Sequence, residues 1–228
     1  TGLKGFCPSF VSVDAQLQAR TTSHKIDGLP DPKHKVSDGV SNIILTGIGG
    51  TGVLTVSAIT AMAAHYEGKE STILDMTGLA QKGGAVWSHI KIYEKNVKTF
   101  SHKIAPASAN LFLACDAVVG TKPEIQEVLS DKKTYSIINS DTIPVADFVT
   151  NRDLDFKDDE VLKVIDKTTK DIDITVPAIK IAENLCGDAI AANIMMLGAA
   201  YQLGHVPLKE ESIKSVSYTH LTLPTTGV

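Results

Sequence analysis

The chain is short of several things, and each shortage narrows what it can be. Only three of its 228 residues are cysteine, at positions 7, 115 and 186. An odd number at such wide spacing argues against a disulfide-built secreted fold and for a reducing, cytoplasmic setting. Apolar runs are broken by glycine or polar residues before they reach membrane-spanning length, and no signal-peptide layout opens the sequence, so no membrane association is expected. Basic residues number 22 against 26 acidic, giving a net charge of −4, and they form no long run. No nucleic-acid partner is expected. Also missing are a G-x-S-x-G elbow, a G-x-x-x-x-G-K-[ST] phosphate loop and an H-E-x-x-H helix, so no self-contained catalytic apparatus is legible. His89 and His102 stand 13 residues apart with no carboxylate arrangement to fix a metal or proton-transfer geometry.

What is present is an alternation of strand-like and helix-like stretches. "NIILTG" from residue 42 is a short apolar run of the buried parallel type. "GVLTVSAITAMAAHYEG" after it has helical spacing, with Val53, Ile59, Met62 and Ala63 available to face a sheet and Gly68 to close the helix. "STILDM" reads as a second buried strand, making residues 42–76 a βαβ unit whose crossover places the glycine turn at the C-terminal edge of the sheet. "AVWSHIKIYE" alternates as a more exposed strand does. "APASANLFLACDAVVGT" reads as a short helix and then a strand over 111–119, with Asp116 inside the apolar series. Further elements are a strand at 134–140, a helix over 158–169, a strand near 172–176, and a helical region from 177 broken at Gly187, Gly204 and Pro207. The fold class expected is a three-layer, Rossmann-like α/β domain with a mostly parallel sheet and a glycine-rich β1–α1 loop.

Two loops stand out. Gly47, Gly49 and Gly52 have G-x-G-x-x-G spacing between a strand and a helix, with Gly50 and Thr51 inside the turn. Missing side chains there permit a tight turn and close approach of backbone amides to a phosphate. Three readings remain open: a glycine turn that serves packing alone, a phosphate-bearing ligand, or a nicotinamide or flavin, for which Asp75, 23 residues beyond Gly52, is the candidate ribose partner. The second loop, "DMTGLAQKGGAVWSH", offers Thr77, Gln81, Lys82, Ser88 and His89 around Gly83 and Gly84. Lys82 is suited to a phosphate or carboxylate, and Trp87 to a core or interface slot. Cys115 and Cys186 sit in apolar surroundings and read as small buried hydrophobes.

The blocks "GIGGTGVLTVSAI.AMAAHYEGK", "LDMTGLAQKGGAVWSHIKI" and "GDAIAANIMMLG" resemble the C-terminal gamma-type domain of indolepyruvate:ferredoxin oxidoreductase, in its fused single-chain form. The likeness runs from about residue 3 to 215, and "GFCPSFVSV" resembles the end of the iron–sulfur region that precedes this domain. By that resemblance Cys7 matches a [4Fe-4S] ligand; where the family commonly has another cysteine five residues earlier, this chain has Gly2. The resemblance implies an enzyme using thiamine diphosphate with Mg2+, [4Fe-4S] clusters and coenzyme A to convert an arylpyruvate to aryl-acetyl-CoA and CO2. The thiamine-binding and iron–sulfur domains of the same polypeptide and ferredoxin would be its partners, and a homo-oligomer is expected.

The implied organisation is residues 1–13 as the end of the iron–sulfur region, 14–40 as a linker containing "GLPDPKHK", and 41–215 as the gamma-type domain. Residues 216–228, opening on the β-like, Thr-rich "VSYTHLTLPT", resemble a translated sequencing adapter and are set aside. The expected working edge comprises Gly47, Gly49, Gly50, Thr51, Gly52, Thr77, Gln81, Lys82, Gly83 and Gly84, supporting chemistry carried out elsewhere.

Overall fold

The computed structural model describes residues 29–35, 39–78, 84–98, 101–141 and 158–221. It divides into a first unit, Thr1–Asp31, of which only 29–31 are described, and a second, Pro32–Val228, that carries every element below.

The apolar run at the domain's start becomes β1 (Val40–Ile48), buried along almost its whole length because both faces of the sheet are covered. Gly50 and Gly52, at φ 91° and 90°, make a left-handed turn that L side chains resist, and α1 (Val53–Tyr66) follows at once. α1 buries Val53, Val56, Ile59 and Ala63, whereas Met62, expected to face the sheet, is exposed. Gly68, at φ 75°, ends it: its N–H donates to the His65 carbonyl at 2.9 Å, and the Lys69 N–H to the Ala64 carbonyl at 3.0 Å.

β2 (Glu70–Thr77) and β3 (Ala85–Tyr93) come next, and the six strands stand in the order β2-β3-β1-β4-β5-β6. β3 runs antiparallel to both β1 and β2, so these two are parallel to each other but separated by it. The βαβ expectation therefore holds in direction, with the crossover passing over an intervening strand. It also corrects the reading of β3 as a more exposed strand: Ser88, His89 and Lys91 are buried with Val86, Ile90 and Ile92. Lys91 reaches a backbone acceptor, its Nζ donating to the Ser101 carbonyl at 2.7 Å.

β4 (Leu111–Ala114) is shorter than expected, and the residues before it form turns rather than a helix. Its end is set by Asp116, whose Oδ1 accepts the Val119 N–H at 2.8 Å and so caps α2 (Ala117–Gly120). Then follow α3 (Pro123–Gln126), β5 (Tyr135–Asn139), α4 (Asp158–Thr168), β6 (Asp171–Val176), α5 (Ala178–Cys186), a 3₁₀ turn (Ala189–Ala191), α6 (Ala192–Gln202) and α7 (Glu210–Leu221). β4, β5 and β6 continue in parallel from β1. α7 is helical through 221, where a β-like string was expected from 216, and Val216 is buried in the core.

Alternate residues of the central strands feed two apolar clusters, one on each face. Ile43, Leu45, Ile90, Leu113 and Ile137 pack with α1, α5, α6 and α7. Ile44, Phe112 and Ile138 pack with Ile125 of α3 and Ile165 of α4, and Trp87 lies against this second cluster as a core-side residue. The result is the expected three-layer α/β arrangement with a mostly parallel sheet. Phe112 is fully buried against Gly120, where an added Cβ would lie 2.5 Å from its Cζ. Truncating it to alanine costs about 3–5 kcal/mol.

Candidate functional site

The strand register brings the two glycine-bearing segments together. Ile48 at the end of β1 pairs with Ala85 at the start of β3, and Thr77 at the end of β2 pairs with Val86. Beyond the ladder the Gly49 N–H donates to the Gly84 carbonyl at 2.8 Å, and the Gly78 N–H to the Ala85 carbonyl at 3.3 Å. A Cβ at Gly49 would stand in ordinary contact with its neighbours, 3.4 Å from the Gly84 oxygen and 3.5 Å from Val86 Cγ2, so the space there does not itself demand glycine. Gly47 serves packing instead, since a Cβ on it would overlap the Val53 side chain at the start of α1. Gly50 and Gly52 differ again, for an added Cβ at either meets nothing within 4 Å. They line an open cleft of about 540 Å³, with Thr55, Thr77 and Gly78 on its walls.

That cleft receives the N-terminus of α1, which has no side-chain cap and no acidic residue in its first turn. The first-turn amides of such a helix lack partners within the helix and present a positive dipole end. The arrangement suits an anion. Leu54 and Ile190 lie exposed on the cleft's rim, and Met62, Tyr66 and Met76 are further exposed apolar side chains of α1 and β2.

A second hollow, of about 290 Å³, adjoins the first through Gly50 and Ile190, and lies where β1 and β4 diverge toward opposite halves of the sheet. Such divergence points are the usual ligand crevices of open α/β sheets. Two asparagines absent from the expected site fix its walls. Asn193 of α6 donates from Nδ2 to the Thr51 carbonyl at 2.7 Å and to Thr51 Oγ1 at 3.2 Å, tying the glycine turn to a helix 142 residues away. Thr51 is further held by its Oγ1 donating to the Ile48 carbonyl at 2.8 Å. Asn139 donates from Nδ2 to the Cys115 carbonyl at 3.1 Å, while its Oδ1 accepts the Asp141 and Ala178 N–H groups at 3.1 and 3.0 Å. The block "GDAIAANIMMLG" contains Asn193, but nothing in local spacing signals which distant turn it reaches.

Other candidates resolve differently. Asp75 is separated from β1 by β3, and its Oδ1 accepts hydrogen bonds from Ser88 Oγ at 2.5 Å and Ser57 Oγ at 3.3 Å. The ribose role open to it under the nicotinamide or flavin reading lacks the adjacent β1–β2 pairing on which that geometry depends. His89 is buried, and its Nδ1 accepts the Ile104 N–H at 3.4 Å. Burial, with Lys103 and Lys91 nearby, lowers its pKa to about 4, so it is a neutral core histidine at neutral pH. Cys115 is buried as expected, and burial beside Asp116 raises its pKa. Cys186, expected to be buried, is exposed near the end of α5. Gln81, Lys82, Gly83 and Cys7 lie outside the described residues. Among the described residues no group of three metal-binding side chains converges, and no helix is long and apolar enough to cross a membrane.

Comparison with known proteins places this geometry. Over 174 residues the chain is 28% identical to the indolepyruvate oxidoreductase subunit IorB of Archaeoglobus fulgidus, an alignment covering 76% of this chain and 82% of that protein. Its fold matches the crystal structure of the pyruvate oxidoreductase subunit PORC of Thermotoga maritima with a TM-score of 0.54 at 21% identity, covering 82% of this chain and 88% of that one. It also matches 27% of the 2-oxoglutarate:ferredoxin oxidoreductase chain of Magnetococcus marinus, solved with coenzyme A bound, with a TM-score of 0.58 at 16% identity over 80% of this chain. Residues 42–219 match the family described as pyruvate ferredoxin/flavodoxin oxidoreductase, and the chain belongs to that family.

Proposed function

We propose that this chain is the gamma-type part of a cytoplasmic, homo-oligomeric enzyme that oxidises an arylpyruvate, with indole-3-pyruvate the first candidate. In this reading the substrate and coenzyme A yield aryl-acetyl-CoA, CO2, a proton and two electrons, which [4Fe-4S] clusters would carry to ferredoxin. Thiamine diphosphate with Mg2+, held by other domains, supplies the stabilisation of negative charge that decarboxylation requires. Cys7 would be a cluster ligand at the edge of the preceding region. The present domain binds, orients and excludes water. Its glycine edge meets the thiamine domains and the phosphate-bearing part of coenzyme A.

The observation that carries this reading is the Gly49–Gly84 hydrogen bond, which joins the β1–α1 turn and the β2–β3 segment into one edge. Family membership and likeness to an indolepyruvate oxidoreductase subunit support the reaction class. The residues present fit a phosphate: side-chain-free Gly50 and Gly52 face open space, and the first turn of α1 is uncapped. The exposed apolar side chains beside the cleft support docking against a partner domain.

Thr55 is exposed in the first turn of α1 and lines the cleft. Thr55→Asp suits the helix dipole, so folding is retained, but it sets a carboxylate against an incoming phosphate. Calorimetric titration of the complete enzyme with coenzyme A is expected to show about tenfold weaker binding for this variant, about 1.4 kcal/mol. Unchanged affinity would remove coenzyme A from this edge. Lys82→Ala in the same titration decides whether that lysine takes part.

A further inference from the structure

Four lysines meet at the opposite edge of the sheet. Lys35 arrives on the segment preceding β1, Lys132 and Lys133 on the turn before β5, and Lys170 on the turn between α4 and β6. They line a cavity of about 200 Å³ around Tyr135, the first residue of β5, with Asn110 and His205 completing its wall. This gathering runs against the chain's net charge of −4.

The cavity is organised from below. Lys170 Nζ donates to the Tyr135 hydroxyl at 2.6 Å, and Lys170 and Lys35 hold their ammonium groups 4.6 and 5.1 Å from the ring centroid. The His205 ring packs on the same tyrosine at 4.8 Å between centroids, and its Nε2 bonds to the Asp173 carboxylate. Asp173 also takes Lys35, at 3.4 Å, so one carboxylate is shared between two neighbours. Lys132, Lys133 and Lys170 have no carboxylate partner among the described residues. Asp171, opposite Tyr135 in the strand register, is exposed and does not line the cavity.

Lys35 is placed deliberately. Its N–H donates to the Gly204 carbonyl at 2.8 Å, and the chain passes so close that a Cβ on Gly204 would overlap the Lys33 carbonyl. Lys35, in the segment read as a linker, thus contributes to one wall of a basic pocket. Like charges held together repel unless an anion joins them, and lysine ammonium groups are mobile donors suited to phosphoryl oxygens. A cavity of this size admits a phosphate or pyrophosphate but not a whole nucleotide cofactor.

We propose that this cavity at the N-terminal edge of the sheet binds a phosphate-class polyanion, held by Lys35, Lys132, Lys133 and Lys170 over the Tyr135 ring. The anion enters either as free pyrophosphate or as the diphosphate end of a nucleotide. The test is calorimetric titration, at low salt with pyrophosphate and separately with ADP, of the 228-residue chain carrying Thr55→Asp, which closes the glycine cleft to phosphate. Saturable binding of pyrophosphate at one site is expected, weakened tenfold or more in Lys133→Gln/Lys170→Gln and weakened by added salt. Lys163→Gln, on exposed α4 surface, should leave it unchanged. Equal affinity for ADP assigns the free anion as the source, and tighter ADP binding assigns the nucleotide. Absence of saturable binding by both, or binding indifferent to the double lysine variant, overturns the proposal.

Discussion

At the C-terminal edge of the sheet room for a ligand is made by omission. Gly50 and Gly52 withhold side chains beside the uncapped first turn of α1, and Asn193 braces the turn from across the domain. At the N-terminal edge the means are reversed, for long charged side chains are brought in from three separate segments and steadied by one tyrosine, one histidine and one aspartate. Binding built from backbone depends on conformations that few residues other than glycine adopt, so it is brittle to substitution. Binding built from lysine depends on charge and tolerates change one residue at a time, but it weakens in salt.

Both edges hang on the buried middle of the sheet, and after the truncation of Phe112 the largest expected effect lies at His89 of β3. The His89 pKa falls from its ordinary 6.5 to about 4 in the folded protein, so between those values the unfolded chain binds the extra proton. Stability therefore rises with pH through this window and is lost as pH falls from about 6.5 toward 4, by up to about 3 kcal/mol. Burial lowers the pKa of His205 as well, more than Asp173 raises it, which adds loss of the same sign. Urea denaturation at stepped pH should show the fall; a flat profile would mean that His89 is hydrated and both edges are less firmly rooted.

Next in size is Gly204→Ala. The position has φ 84° and faces the Lys33 backbone, so the variant should lose about 2–3 kcal/mol by thermal denaturation and weaken pyrophosphate binding through displacement of Lys35. Coenzyme A binding at the other edge should stay as it was. Smaller still is Asn193→Ala, which removes the brace on Thr51 and should cost about 1–2 kcal/mol of stability. It should loosen coenzyme A binding while leaving the lysine cavity alone. If either variant disturbs both edges equally, the two are not independent.

Much of this was legible in the sequence because the signals were local. The run NIILTG, the glycine turn and the helix after it stand where apolar period and turn chemistry put them, and Gly68, Gly187 and Gly204 end helices with positive φ as the sequence implied. That the two glycine-bearing segments meet at one end of the sheet was legible through order alone, since strand, turn, helix and strand leave both there. What could not be read was pairing. Nothing local says that β3 slips between β1 and β2, and its Ser88, His89 and Lys91 imitate the polar face of an exposed strand while being buried. Asp116 looked like part of an apolar strand because its role as the cap of α2 appears only once the chain turns. Asn193 and the lysine cavity escaped for the same reason, since their partners lie far along the chain.

The most direct measurement is coenzyme A binding by the complete enzyme in three forms: unmodified, Thr55→Asp, and Lys133→Gln/Lys170→Gln. If the glycine edge receives the coenzyme's phosphates, the first variant binds about tenfold more weakly and the second binds as the unmodified enzyme does. Undiminished binding by Thr55→Asp would contradict the assignment, and loss in the lysine variant alone would move the coenzyme to the other end of the sheet.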